Sequence, residues 1–548
     1  MSTIDWVVLT TTLCGIILYG VYKSSSTKNL EGYFLSNRSM PWYMVLLSIM
    51  GTQASAITFL SAPGQAYTDG MRFVQYYFGL PLAMIVICIF FVPVFRRLKV
   101  YTAYEFLENR FDLKTRSLTS ALFLISRGLS TGISIYAPSI ILSSLLGWNI
   151  YYTNLIMGGL LIIYTMSGGA KAVAYTQQLQ LIIIIAGMFL AGYMVVTLLP
   201  DGMGFVDAIT VAGNQGKMNI ITTGVTNNHF DWKDKYNIWS GVIGGFFLAL
   251  SYFGADQSQV GRYLTASTDK ESKIGLLTNG LVKVPMQFLI LLVGILVFSF
   301  YQYHKAPVYF DDAKVIVAKK TVYKDALIKL EQQYSNALAT NDRLQTTAVR
   351  AQYKEVLKKA IPGDDANDTN FIFLRFVIDN LPKGLVGLLI AVIFLAAWGS
   401  IAAALNSLAS CTVIDFHKKF INTNCSEAKD YSISRWYTFG WGVFSIVVAM
   451  FAHNLGNSLI EAVNILGSLF YGVILGIFLV AFWIKHVKAN AVFIAAVISE
   501  LLVILVYNLN IISFLWLNVI GALLVIVLAL ILQVLMPVGK TNIALPAN

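Results

Sequence analysis

Long stretches without a single Asp, Glu, Lys or Arg constrain this chain most: residues 39–68, 73–95, 128–170, 172–200, 385–414 and 462–484. A helix needs about 20 apolar residues to cross the hydrocarbon layer of a bilayer, and each stretch supplies them. An unpaired N–H or C=O finds no water in that layer, so stretches of this kind cross it as helices. The 128–170 stretch has the length of two spans and a turn. With weaker candidates included, the pattern predicts an all-α membrane protein of about thirteen transmembrane helices. Composition agrees: 57% of the residues are hydrophobic, 12% are charged and the mean hydropathy is +0.68, more apolar surface than a water-soluble domain hides.

Lys and Arg number 39 against 28 Asp and Glu, a net charge of +11. In a soluble chain such a surplus suggests nucleic acid, but in a membrane chain the placement of basic residues is the informative quantity, and no nucleic-acid partner is expected. Lys23, Lys28 and Arg38 follow the first span. Arg96, Arg97, Lys99, Arg110, Lys114 and Arg116 follow the third. Lys171, then Arg262, Lys270 and Lys273, then Lys418 and Lys419, then Lys485 and Lys488 mark later alternate turns. These turns are predicted to be cytoplasmic. The chain is then a multi-pass protein of the inner (plasma) membrane, surrounded by lipid bilayer, with its N-terminus outside and Lys540 and the C-terminus inside. The first span, 6–22, follows Asp5 and lacks a basic lead segment, so it reads as a retained helix. Cys14, Cys88 and Cys411 fall inside spans and Cys425 in a turn, which suits packing rather than a disulfide framework or a metal cluster.

Two outward segments are long, 201–235 and the markedly polar 304–370. In the second, Leu327, Leu330, Tyr334 and Leu338, then Val349, Tyr353, Val356 and Leu357, recur at helical spacing with charges between, which predicts a solvated helical insertion. Asn367-Asp368-Thr369 matches a glycosylation sequon, a match that chance supplies readily. No Walker loop, HExxH or GxSxG motif occurs, so neither ATP-driven pumping nor an enzyme is expected, and neither is an appended signalling domain.

A transporter betrays itself by spans interrupted with glycine, proline or small polar residues, where unwound backbone reaches an ion at the bilayer midplane. The second span reads Ser48-Ile49-Met50-Gly51-Thr52-Gln53-Ala54-Ser55-Ala56-Ile57-Thr58, then Pro63-Gly64. The seventh carries Gly241, Gly244 and Gly245, then Ser251-Tyr252-Phe253-Gly254-Ala255-Asp256-Gln257. They lie five spans apart, as the first helices of two inverted five-helix repeats would.

The chain also resembles the sodium:solute symporter family, which includes sodium/glucose, proline, sialic acid, iodide and monocarboxylate carriers. The resemblance rests on ordered local matches: Tyr33-Phe34-Leu35 with Pro41-Trp42; Tyr101-Thr102-Ala103-Tyr104-Glu105-Phe106-Leu107 with Arg110-Phe111; Tyr136-Ala137-Pro138-Ser139; Gly168-Gly169-Ala170-Lys171-Ala172-Val173; Asp256-Gln257 with Gln259-Val260 and Arg262-Tyr263-Leu264; and Leu405-Asn406-Ser407 with Asp415. Tyr136-Ala137-Pro138 and Gln259-Val260 are most similar to the iodide, monocarboxylate and multivitamin branch. The resemblance implies a leucine-transporter-type fold with an extra N-terminal helix and two C-terminal helices. Its division is 1–38, the first helix and turn; 39–200, the first repeat; 201–235, a loop; 236–303, the start of the second repeat; 304–370, the insertion; 371–488, the rest of that repeat; and 489–548, the last two helices.

For the ion, the resemblance implies a sodium site of carbonyl and hydroxyl oxygens, at Gly51 and Ala54 on the second span and Ala396 and Ser400 on the ninth. This chain has Gly399 where the family has a first hydroxyl, a loss that weakens sodium binding unless a water or Thr52 replaces it, and Gln177 where the family commonly has an aspartate. A second cation site is therefore not expected, and one-to-one coupling is. For the solute, the resemblance implies Gln53, Ser55, Thr58, Tyr76, Tyr77, Arg127 and Tyr252. Tyr77 stands where sugar carriers have an acid, which argues against a glucose-like ligand. Arg127 is an ionisable group inside a span and so a functional candidate. Its fork of donors suits a carboxylate such as a sialic acid or a short monocarboxylate; the alternatives are snorkelling to headgroups or a pair with Asp256 or Glu105. Asp256, six residues before Arg262, is expected to pair with Arg262. Glu461 and Glu500, in late spans, have no counterpart in the family's sites.

The reading is a secondary active transporter, a sodium:solute symporter that imports a small organic solute by alternating access. A proton-coupled or uncoupled carrier of a sugar or polyol on the same fold, and a membrane solute sensor, are the alternatives.

Overall fold

The computed structural model describes residues 1–24, 30–340, 342–363, 366–422, 427–452 and 458–536. Lys28, Cys425 and Lys540 lie outside the described residues, and at Lys23, Gly168, Gly169 and Ala172 only the backbone is described.

Among the described residues, nine helices are long and apolar enough to cross a membrane: Thr3–Gly20, Met71–Arg97, Leu113–Leu146, Val173–Thr197, Asp269–Tyr303, Leu385–Ile421, Leu459–Trp483, Ala489–Asn508 and Phe514–Leu535. A tenth span is bent, with Trp42–Gln53 and Ala56–Asp69 meeting at 60°. Ile150–Met166 and Ser240–Gly254 are shorter apolar helices, and Glu427–Phe451 is a further 25-residue helix. The sequence predicts about thirteen spans; among the described residues nine or ten helices meet the length and apolarity of a crossing, and these three with them are numbered here as spans in chain order. The fifth and sixth belong to one helical run, Ile150–Thr197. The Tyr164 hydroxyl lies 2.7 Å from the Thr176 hydroxyl, yet in a straight helix the two residues would be about 18 Å apart along the axis at 1.5 Å per residue. The run therefore doubles back, as two spans require.

Each broken span has a local cause. At the first break, Ser55 N–H donates to Gln53 O (2.9 Å) and Thr58 N–H to Ser55 O (2.9 Å). The carbonyls of Gly51 and Ala54, which those amides would have capped in a continuous helix, are left without them. The seventh span breaks after Gly245–Gly254. Asp256 adopts an extended backbone (φ −80°, ψ 118°) and caps the next helix, Gln257–Tyr263, by accepting from Ser258 N–H (2.8 Å). Open backbone at such depth is tolerated where it lines a cavity. The third and seventh spans pack backbone to backbone: a Cβ at Gly245 would come 2.5 Å from Tyr76 O, and one at Gly79 2.1 Å from Phe246 N, so both positions need glycine for the approach.

The basic turns gather on one face. Arg38 donates to the carbonyls of Lys99 and Val100 (3.0 and 2.9 Å), Arg96 pairs with Asp269 (3.0 Å), Lys419 with Glu108 (2.9 Å), and Arg110 donates to Lys485 O (2.9 Å). Beneath them Arg116 and Asp415 form a buried pair (2.5 Å), with Thr102 and Ser120 donating to the same carboxylate (2.8 Å each). The 304–370 segment holds helices Asp312–Ala318, Lys324–Ala339 and Arg343–Ala360. Leu327, Leu330, Tyr334, Val349, Tyr353 and Leu357 form a small core of their own there. Asp368 pins this unit by accepting from Arg350 (2.9 Å), Lys354 (2.6 Å) and Phe310 N–H (3.0 Å). Burial raises the Asp368 carboxyl, but Arg350, then Lys354, outweigh burial and hold it below its ordinary range. Among the described residues Cys14, Cys88 and Cys411 are free thiols.

Candidate functional site

At the two breaks the spans enclose a cavity of about 150 Å³. Gln53, Ser55, Thr58, Tyr76, Tyr77, Arg127, Tyr252 and Ser400, dispersed over five spans, all line it. Gly51, Ala54 and Ala396 are not among its lining residues, although their chain neighbours Thr52, Gln53 and Ser55 are, as is Ser400 one turn after Ala396. Ser400 Oγ donates to the carbonyls of Ala396 (3.0 Å) and Ala397 (3.1 Å), the local back-bond of a serine within a helix.

The polar side chains hold one another. Gln53 Nε2 donates to Asn279 Oδ1 (3.2 Å), and Thr58 Oγ1 to Gln53 O (3.3 Å). Tyr76 Oη donates to Asn464 Oδ1 (3.1 Å) and its ring meets that of Tyr77 edge-on at 4.7 Å. Gln259 Nε2 donates to Tyr252 Oη (2.7 Å), and the Arg127 guanidinium lies 5.3 Å over the Tyr252 ring. Bridges run on both sides of the cavity. Toward the insertion, Ser458 Oγ donates to Gln65 Oε1 (2.6 Å), Ile460 N–H to Ser61 Oγ (3.3 Å), and Lys235 pairs with Glu461 (2.7 Å). Toward the basic face, the eleventh span's Tyr471 donates to Asp256 (2.7 Å), joining it to the seventh span.

Two expectations change here. Asp256 pairs with Arg127, one of the alternatives for that arginine, and not with Arg262, because the extended backbone at the break turns its carboxylate inward to the fourth span. Arg262 is buried instead, with its Nε and Nη1 lacking a hydrogen-bond partner among the described residues. Arg127 lines the cavity, but Asp256 and the Tyr471 hydroxyl (2.7 Å) already engage its Nη2, so the charge expected to meet a solute is matched within the protein.

The residue that sequence reasoning missed is Lys283, on the eighth span. It is 2% exposed, lines the cavity, and lies 5.7 Å over the Tyr77 ring, with no ion pair or hydrogen bond among the described residues. The signal was present: Lys283 is the one Asp, Glu, Lys or Arg between Lys273 and Lys305, and a lone charge within a span marks a site by default. Asn464 and Tyr471 were also missed, since nothing in the eleventh span's sequence singles them out.

Gln177 fills the gap between the second and ninth spans. It accepts from Ser48 Oγ (2.9 Å) and donates to Thr52 Oγ1 (3.2 Å) and Gly399 O (3.0 Å). Among the described residues no group of three or more His, Cys, Asp or Glu is placed to hold a metal ion. A cation at the break would be met by neutral oxygens, which suits a hard monovalent ion better than a transition metal.

The model of the sodium:solute symporter family matches residues 33–340 and 348–499. The sodium/sialic acid symporter of Aliivibrio fischeri is 26% identical over 550 residues, covering 99% of this chain and 94% of its own length. That of Proteus mirabilis is 26% identical, with 96% and 93% covered. The sodium-dependent multivitamin transporter of Oryctolagus cuniculus is 28% identical, with 87% and 66% covered. The solved structure of a Na+-coupled sialic acid symporter, substrate-bound and outward-open, superposes with a TM-score of 0.78 at 24% identity over 98% of both chains, a likeness of fold. The two broken spans and the family match over most of the chain agree: this protein belongs to the sodium:solute symporter family, membrane transporters rather than enzymes.

Proposed function

We propose that this chain is a sodium-coupled symporter that imports a small carboxylate-bearing solute by alternating access, with the 39–200 and 236–488 repeats as the halves that rock about the cavity. The observation that carries the reading is the charge balance there. Arg127 and Asp256 neutralise each other, Lys283 is left without a counter-ion, and no carboxylate stands among the described lining residues. A buried cation without a counter-ion is costly, and a solute carboxylate relieves that cost on arrival. Gln53, Ser55, Thr58, Asn464 and Tyr76 offer neutral hydrogen bonds around it, and Tyr77 and Tyr252 offer ring faces. The cavity's volume lies below the roughly 300–1,000 Å³ of pockets for drug-sized ligands, so a short monocarboxylate suits this conformation and a sialic acid needs it to widen.

Sodium would be held by the Gly51, Ala54 and Ala396 carbonyls and by Ser400 Oγ. The free carbonyls at the break support this assignment, and the family and its sodium-coupled relatives support the coupling. When bound, the ion supplies positive charge that ties the two repeats together. The gathered basic turns support a cytoplasmic assignment of that face, with the N-terminus outside, the C-terminus inside and the protein in the plasma (inner) membrane.

A thermal-shift panel of short monocarboxylates, a sialic acid and neutral sugars, with and without sodium, tests the solute class. Carboxylates are expected to stabilise the parent, more so with sodium, and to lose that effect in Lys283→Met. Equal stabilisation of parent and variant would sink the assignment.

A further inference from the structure

Gly399 on the ninth span lacks the hydroxyl that a sodium site of this kind asks for, and the surrounding geometry shows what has moved into the space. A Cβ placed on Gly399 would come 2.5 Å from Oε1 of Gln180, one turn beyond Gln177 on the sixth span. The Gln180 oxygen therefore occupies the room a serine side chain at 399 would need. Gln180 is 4% exposed and its amide has no hydrogen-bond partner among the described residues. Gln177 differs: its amide is spent on Ser48, Thr52 and Gly399 O, wedging the second span against the ninth. A Cβ at Gly51 would come 2.8 Å from the Gln177 side chain, so glycine at 51 admits that wedge just as glycine at 399 admits Gln180.

We propose that the side-chain oxygen of Gln180 is a ligand of the sodium site, replacing the hydroxyl absent at Gly399 and bringing the sixth span into an ion site otherwise built by the second and ninth. The proposal rests on the sodium reading above. Carbonyl-type oxygens are ordinary ligands of hard cations, and an amide supplies one without adding charge. The exchange keeps the site neutral and the number of oxygens unchanged. It also makes sodium binding a clamp on three spans, adding an ion-mediated tie between the sixth and ninth to the one Gln177 makes with Gly399 O.

Sodium binding to the purified full chain, without solute, tests this directly, read by 22Na+ retention and by sodium-dependent protection against heat, with potassium as control. Gln180→Ala is expected to raise the half-saturating sodium concentration about tenfold or more. Gly399→Ser in the Gln180→Ala background, where the serine has room, is expected to restore most of the loss, which repair of mere packing would not do. Gln180→Glu, which keeps an oxygen, is expected to bind sodium at least as tightly as the parent. Parent-like binding by Gln180→Ala, no recovery in the double variant, or weakened binding by Gln180→Glu would each overturn the proposal. A parent that shows no sodium-specific signal would overturn the sodium reading and this inference together.

Discussion

Lys283 and Arg127 are both cations at one cavity, and their surroundings give them different work. Arg127 stands against the Asp256 carboxylate and the Tyr471 hydroxyl, whereas among the described residues Lys283 has only the Tyr77 ring. Removing one member of a buried pair strands the other charge at a cost of about 3–5 kcal/mol. Asp256→Ala is therefore expected to lower stability in detergent by about that amount, and combining Asp256→Asn with Arg127→Gln to recover much of it. Chemical unfolding followed by tryptophan fluorescence checks both. Lys283→Met strands nothing, so its expected effect falls on the ligand: a charge-assisted contact is worth about 1.5–3 kcal/mol, a loss of roughly ten- to a hundredfold in solute affinity with stability nearly unchanged. Titration of the thermal shift with a short monocarboxylate reads it. A large loss of stability in Lys283→Met would contradict the division of roles drawn here.

At the scale of elements, the broken spans and the insertion were legible in sequence for different reasons. Glycine and the short polar side chains around Gly51–Ser55 and Gly254–Asp256 hold a helix weakly against a competing use of its backbone, and both breaks occur there. The 3.6-residue spacing from Leu327 to Leu357 likewise pointed to the helices whose core those residues form. Asp256 was misread because six residues of separation suggests two turns of one helix, while the break rotates the carboxylate away from Arg262 to the fourth span. Lys283, Gln180 and Asn464 were passed over because their meaning lies in what faces them from other spans, which no local pattern records. The insertion carries its own prediction. The folded Asp368 carboxyl is held below its unfolded value, so its contribution is complete above about pH 4 and is lost as pH falls through the folded value. Asp368→Ala is expected to cost the unit about 3 kcal/mol at neutral pH. The parent is expected to approach the variant at low pH, as read by limited proteolysis of helices Lys324–Ala339 and Arg343–Ala360 with an acid-active protease. A variant as protected as the parent at neutral pH would contradict the clamp.

For the molecule as a whole, the account joins two things in one place: a break whose carbonyls await a cation, and a cavity whose unpaired lysine awaits an anion. Each is unfavourable alone in a low dielectric, and each makes the other easier to fill, so by reciprocity the factor by which sodium tightens solute binding equals that by which solute tightens sodium. In the proposed cycle, Arg127–Asp256–Tyr471 on one side of the cavity and Tyr76–Asn464 with Ser458–Gln65 on the other are the contacts that open in turn. The measurement that tests this most directly is uptake of a radiolabelled short monocarboxylate into proteoliposomes under an imposed inward sodium gradient. The account predicts transient accumulation above equilibrium with sodium outside, little with potassium or choline, and little for Lys283→Met. Equal uptake from potassium or choline, or accumulation driven by a pH gradient without sodium, would contradict it.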